Sequence, residues 1–141
     1  PNDLIRGIIP KMANSYKYML IDTPAGLEHL NRKVMSEIDD LFVILDPSLK
    51  SIKTAQRIQR LAGEIGIKYE NFYLVANHRF NADLEKYIQN IDGASYLGKI
   101  DCDATVEEYN LIGRSLLELP EDSPAYLSVG RILAKAGYRS D

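Results

Sequence analysis

Three uninterrupted apolar runs, each closed by a polar side chain, constrain this sequence most. They are Tyr18-Met19-Leu20-Ile21 before Asp22, Leu41-Phe42-Val43-Ile44-Leu45 before Asp46, and Phe72-Tyr73-Leu74-Val75-Ala76 before Asn77. A strand with one wet face alternates apolar and polar residues, whereas a continuous run fits burial on both faces. The runs therefore predict strands of a parallel sheet covered on both sides. Helical spacing lies between them. Leu27, Leu30, Val34 and Ile38 share one face, as do Ile52, Ala55, Ile58, Leu61, Ala62 and Ile65, with Gly66 placed as a stop. Ahead of the first run, Asn2 to Ala13 puts Leu4, Ile5, Ile8, Ile9 and Met12 on one helical face.

Beyond Asn77 the pattern predicts a weaker helix over 82–89, a turn at Asp92-Gly93, a strand over Tyr96–Ile100 and a helix over Ala104–Ile112 ending at Gly113. Leu116–Leu119 reads as a short edge strand. Ser123-Pro124 opens a last helix that ends near Gly137. Strand and helix in alternation mean an α/β fold with a mostly parallel sheet flanked by helices. There is no internal repeat, low-complexity tract or linker, so residues 1–141 are expected to form a single domain.

Hydrophobic residues at 45% and charged residues at 26% exclude a disordered chain. A net charge of −3 gives no support to a nucleic-acid surface. Cys102 is the single cysteine, which rules out an intrachain disulfide and points to a reducing cytoplasm. No apolar run approaches the roughly 20 residues that span a bilayer, so no membrane partner is expected. No signal peptide is visible at Pro1 to Arg6, and the chain does not open on methionine; a processed or truncated piece of a longer protein is expected.

In parallel α/β sheets, ligands bind beyond the carboxyl ends of the strands. The informative segments are thus Asp22 to Gly26, Asp46 to Ser48, Asn77 to Arg79 and Asp101 to Asp103. An aspartate held at a strand end suits a magnesium ion, directly or through water, as phosphoryl transfer requires. Gly26 can present its backbone N–H to a terminal phosphate with no side chain in the way, and can act as a hinge. The plain structural alternative is that Asp22 caps a turn and Gly26 relieves a tight loop.

Asp22-Thr23-Pro24-Ala25-Gly26-Leu27-Glu28-His29-Leu30 resembles the Walker B and switch II segment of the MinD/ParA/nitrogenase-iron-protein class of deviant P-loop ATPases. Its Ala-Gly-Leu-Glu-His-Leu continuation looks like that of the carbon monoxide dehydrogenase maturation factors of the CooC type. Asn77-His78-Arg79 is similar to the class's Asn-x-Arg, whose asparagine reads adenine. Ile100-Asp101-Cys102-Asp103 resembles the later Ile-Pro-x-Asp loop bordering the base, with Asp101 in place of the proline. The resemblance covers essentially the whole chain and implies a P-loop NTPase fold of the SIMIBI type. It implies Asp22 and Gly26 as catalytic, Asp22 at the magnesium, and Asn77, Arg79 and Asp103 at the nucleotide.

The class's Gly-rich lysine loop is not in these 141 residues, which contain no Gly-Gly pair. The Cys-x-Cys pair implicated in nickel binding and subunit joining is not in them either. The resemblance therefore implies the carboxy-terminal part of a dimeric, cytoplasmic, nickel-inserting metallochaperone. ATP or ADP and magnesium would bind in the full-length parent, with nickel bound through residues outside this sequence and a carbon monoxide dehydrogenase or another metalloenzyme as client. By itself the segment is expected not to hydrolyse ATP. Two alternatives stand beside this reading: a MinD/ParA-like positioning ATPase, and a non-enzymatic regulator that kept the fold. The short polar end, Ala134 to Asp141, argues against the membrane helix that a MinD-like protein needs. His29, His78 and Cys102 are single residues without partners at ligand spacing, and read as surface positions.

Overall fold

The computed structural model describes residues 15–23 and 37–138. The expected helices over Asn2–Ala13 and from Leu27, together with Gly26 and His29, lie outside the described residues.

Three parallel strands, β1 (Glu37–Leu45), β2 (Lys68–Ala76) and β3 (Ser95–Lys99), form the sheet in the order β1-β2-β3. Helix α1 (Leu49–Ile65) connects β1 to β2, and α2 (Ala82–Ile88) connects β2 to β3. Then come α3 (Ala104–Ile112), a 3-10 turn (Leu116–Glu118) and α4 (Pro124–Lys135). The ladders run in register from Glu37 opposite Lys68 to Leu45 opposite Ala76, and end with Ala76 opposite Lys99. A bulge between Leu74 and Val75 shifts the second ladder, so that Tyr96 and Gly98 of β3 oppose them. Gly98 takes a φ of 144°, which a side chain would resist.

Both faces of the sheet carry packed apolar side chains, but the second is covered only in part, since Ile44 of β1 is 56% exposed. On one face Leu45, Leu74 and Ala76 pack with Phe72, Ile52 and Ala55 of α1 and Ile88 of α2. On the other, Val75 and Leu97 pack against Ile132 of α4, with Phe42 and Tyr73 alongside. Ser48 caps α1 by accepting from the Ser51 N–H, and Gly66 ends it in the left-handed conformation. Ser123 caps α4 with Pro124 in its first turn, as the sequence predicts.

Three expectations are corrected. Tyr18–Ile21 forms no strand. It is irregular, Leu20 is 93% exposed, and its anchor is an edge-on contact of Tyr18 with Tyr138 at 5.4 Å. A strand exists only by its ladder, and among the described residues nothing pairs with the outer edge of β1. Ile38 belongs to β1 rather than to a helical face. There Asp40 accepts from the Asn71 amide at 2.7 Å and from the Tyr138 hydroxyl. Leu116–Leu119 is a 3-10 turn, closed by i to i+3 bonds from Glu118 to Ser115 and from Leu119 to Leu116. It lies between the left-handed end of α3 at Gly113 and Pro120, too tight a span to reach a sheet edge.

Candidate functional site at the strand carboxyl ends

Parallel pairing in register brings the three loops after the strands to one end of the sheet. The Asn77 N–H donates to the Leu45 carbonyl at 3.0 Å, and the Ile100 N–H donates to the Ala76 carbonyl at 2.9 Å. The ladder thus runs on into Asn77 and Ile100 and fixes both loop starts. Behind β1 the chain turns at once. The Ser48 N–H donates to the Asp46 carbonyl at 2.7 Å, and the Asp46 N–H donates to Ser51 Oγ at 3.1 Å. Asp46 is therefore tied to the first turn of α1.

The half-buried Asn77 is held on two sides. Its Nδ2 donates to Asp46 Oδ1, and its Oδ1 accepts the Arg79 backbone N–H at 3.0 Å. The second bond makes an Asx turn, which leaves His78 and Arg79 exposed and drives Phe80 into the core at 3% exposure. An amide can donate two hydrogen bonds and accept two, so one N–H and one lone pair of Asn77 remain for a ligand.

The loop after β3 is organised differently. Asp103 is 7% exposed, and both its oxygens are engaged. Oδ1 accepts the Thr105 N–H at 2.9 Å and caps α3; Oδ2 accepts the Ala125 N–H at 3.0 Å and caps α4. The Ala125 N–H foremost, aided by the Ser123 hydroxyl and the Thr105 and Val106 N–H groups, holds its carboxyl below the usual aspartate range against the opposing effect of burial. The Asp101 N–H donates to Ser128 Oγ at 3.0 Å, and the Asp101 carboxylate pairs with Arg131 at 2.6 Å. A proline at this position could not make the first of these bonds. Cys102 between them is an exposed free thiol.

Of the sequence-predicted site residues, the structure brings Asn77, Arg79 and Asp103 to the same end of the sheet. Asp22 is exposed on the irregular segment, outside the hydrogen bonds that join the strand ends among the described residues. Sequence reasoning missed the coupling of Asp46 to Asn77. Their equivalent positions, each the first polar residue after an apolar run, were the available signal. It also missed a polar trio below the loops: Tyr96 donates to Glu85 at 2.8 Å and Lys99 pairs with Glu85 at 3.3 Å. Burial first, then the Glu85 carboxylate, pushes the Tyr96 hydroxyl pKa well up.

No family model matches the chain. It is 37% identical over 95% of its length to an uncharacterised ATP-binding protein of Methanocaldococcus jannaschii, covering 54% of that protein. It is 31% identical over 86% of its length to the carbon monoxide dehydrogenase accessory protein CooC of Rhodospirillum rubrum, covering 44% of it. The septum site-determining protein MinD of Thermotoga maritima is 29% identical over 61% of the chain. The chain's homologues are ATP-binding proteins of the MinD/ParA type. The fold agrees. A ParA family ATPase from Chlorobium tepidum superposes with a TM-score of 0.71 over 94% of this chain and 55% of its own, at 22% identity. The three-stranded parallel sheet is thus part of a P-loop NTPase fold of the MinD/ParA type. The chain spans about half the length of the relatives it matches. Among the described residues no helix is long and apolar enough to cross a membrane.

Proposed function

We propose that this segment supplies the base-binding end of an ATP-binding and ATP-hydrolysing protein, working as a nickel-inserting maturation factor for carbon monoxide dehydrogenase or a similar metalloenzyme. The observation that carries the nucleotide reading is the Asn77 amide, fixed at the carboxyl end of β2 with one donor and one acceptor left over. That pair of valences fits adenine, whose edge offers an exocyclic donor beside a ring-nitrogen acceptor. Arg79 and the backbone of the Asp103 loop would flank the base. The Asp103 carboxylate serves by holding that loop, since its oxygens are already engaged.

Asp22 offers the exposed, hard oxygen that a magnesium ion takes. Magnesium there would neutralise charge on the transferring phosphate. Gly26 would face that phosphate. ATP-driven dimerisation in the cytoplasm and delivery of nickel as cargo complete the reading; the likeness to the Rhodospirillum accessory protein supports its link to carbon monoxide dehydrogenase. Nickel would be held by residues outside this sequence.

The test is competition binding of ATP and GTP to the full-length protein. Wild type is expected to prefer ATP, and Asn77→Ala to lose roughly tenfold of that preference, the worth of a paired polar contact. Equal preference in wild type and Asn77→Ala would overturn the base-reading role. Asp22→Asn is expected to abolish most phosphate release while leaving the circular dichroism spectrum unchanged; an unaltered rate would remove Asp22 from the magnesium site.

A further inference from the structure

We propose that Asp46 is a specificity-determining positioning residue: it fixes which end of the Asn77 amide faces the ligand, and so which purine this end of the sheet accepts. The inference rests on the reading of Asn77 as the base-contacting residue. An asparagine amide has two ends of nearly equal shape and opposite polarity. Nδ2 only donates and Oδ1 only accepts. Turning the amide over costs little sterically, yet it exchanges donor for acceptor. Two neighbours of unambiguous polarity prevent that here. The Asp46 carboxylate oxygen accepts, so it meets Nδ2. The Arg79 backbone N–H can only donate, so it must meet Oδ1. The orientation follows from these polarities and not from the shape of the amide.

Asp46 is itself well placed to impose this order. Its N–H is bonded to Ser51 Oγ, its carbonyl accepts from Ser48, and its neighbour Leu45 accepts the Asn77 N–H. The path runs from the first turn of α1, through Asp46, to Asn77. The consequence is chemical. With the ring held one way round by its sugar and phosphates, adenine presents a donor at position 6 and an acceptor at N1. Guanine reverses the two. An inverted Asn77 would therefore suit guanine, and Asp46 stands against that inversion.

Asp46→Asn removes the constraint, because an amide at position 46 can either donate or accept. The experiment is competition binding of ATP and GTP to full-length wild type, Asp46→Asn, Asn77→Ala and the double variant. Asp46→Asn is expected to lose on the order of tenfold of the ATP preference. Adding it to Asn77→Ala is expected to change nothing further, since its effect passes through Asn77. An unchanged preference in Asp46→Asn, or an added loss in the Asn77→Ala background, overturns the role of Asp46. A wild type without ATP preference instead overturns the reading of Asn77, and the role of Asp46 with it. A second readout needs no nucleotide. The Asn77 side-chain amide signals in an NMR spectrum are expected to exchange slowly in wild type and faster in Asp46→Asn, and identical exchange overturns the hold. Asp46→Ser, which also donates or accepts, replaces Asp46→Asn should the latter lose its dispersed spectrum.

Discussion

The loops after β2 and β3 lie at the same end of the sheet and spend their polar side chains in opposite ways. After β3, Asp103 is buried and gives both oxygens to the starts of α3 and α4, while Ser128 Oγ, 1% exposed, ties Asp101 to α4. After β2, Asn77 is half-buried, bonds to its neighbour strand end and its own turn, and keeps valences free. A buried polar group must be satisfied by the protein, and a satisfied group has little left for a ligand. A carboxylate on a conspicuous loop can therefore be scaffold, while the less conspicuous amide beside it is free to recognise.

The strongest way to break this comparison is Asp103→Ala. It removes the acceptor shared by two helix starts, and its chemical-unfolding midpoint is expected to fall further than that of Ser128→Ala, Asn77→Ala or Arg131→Ala. A midpoint within error of wild type would show that the caps are replaced by water. The same residue has a pH signature. Its folded carboxyl lies below the ordinary value of 3.8, so its contribution is present above that value and is lost as pH falls through the lower, folded one. Stability measured from pH 5 downward should therefore fall less steeply in Asp103→Asn than in wild type. Parallel curves would mean that the carboxylate is not held by those N–H groups.

Ser128→Ala comes next. It leaves the part-buried Asp101 N–H without its Ser128 acceptor, at a cost of about 1–2 kcal/mol in urea unfolding. A cost near zero would place the clasp between this loop and α4 outside the stability of the fold. Asn77→Ala sharpens the contrast from the other side. Its bonds are partly solvated, so the expected loss is below about 1 kcal/mol, although the effect on nucleotide choice is large. A greater loss of stability than in Ser128→Ala would make Asn77 scaffold as well. The Arg131–Asp101 pair is smallest: with side chains 61% and 42% exposed, Arg131→Ala is expected to cost at most about 0.5 kcal/mol and to lose even that at high salt.

The parts of the fold legible in the sequence were those whose evidence is local. Leu41–Leu45 and Phe72–Ala76 announced strands through continuous apolarity, and the structure extends each towards its amino end. Gly66, Gly113 and Ser123 mark helix ends through capping chemistry that needs only a few neighbouring residues. Tyr18–Ile21 and Leu116–Leu119 misled for one reason. A short, mostly apolar stretch satisfies the composition of a strand without supplying the second backbone that makes one.

What the sequence by itself determined is the alternation of elements, the apolar faces that join them, and the set of polar residues that close each strand. Periodicity, capping and burial are all properties of short stretches of chain. What the tertiary structure alone decided is how those polar residues divide the work. The oxygens of Asp103 are taken because α4 brings its first turn back across 22 residues, and Asn77 is oriented because parallel pairing sets it beside Asp46, 31 residues earlier. A side chain's free hydrogen-bonding capacity depends on what the fold places around it, and such distant neighbours leave no trace in local spacing.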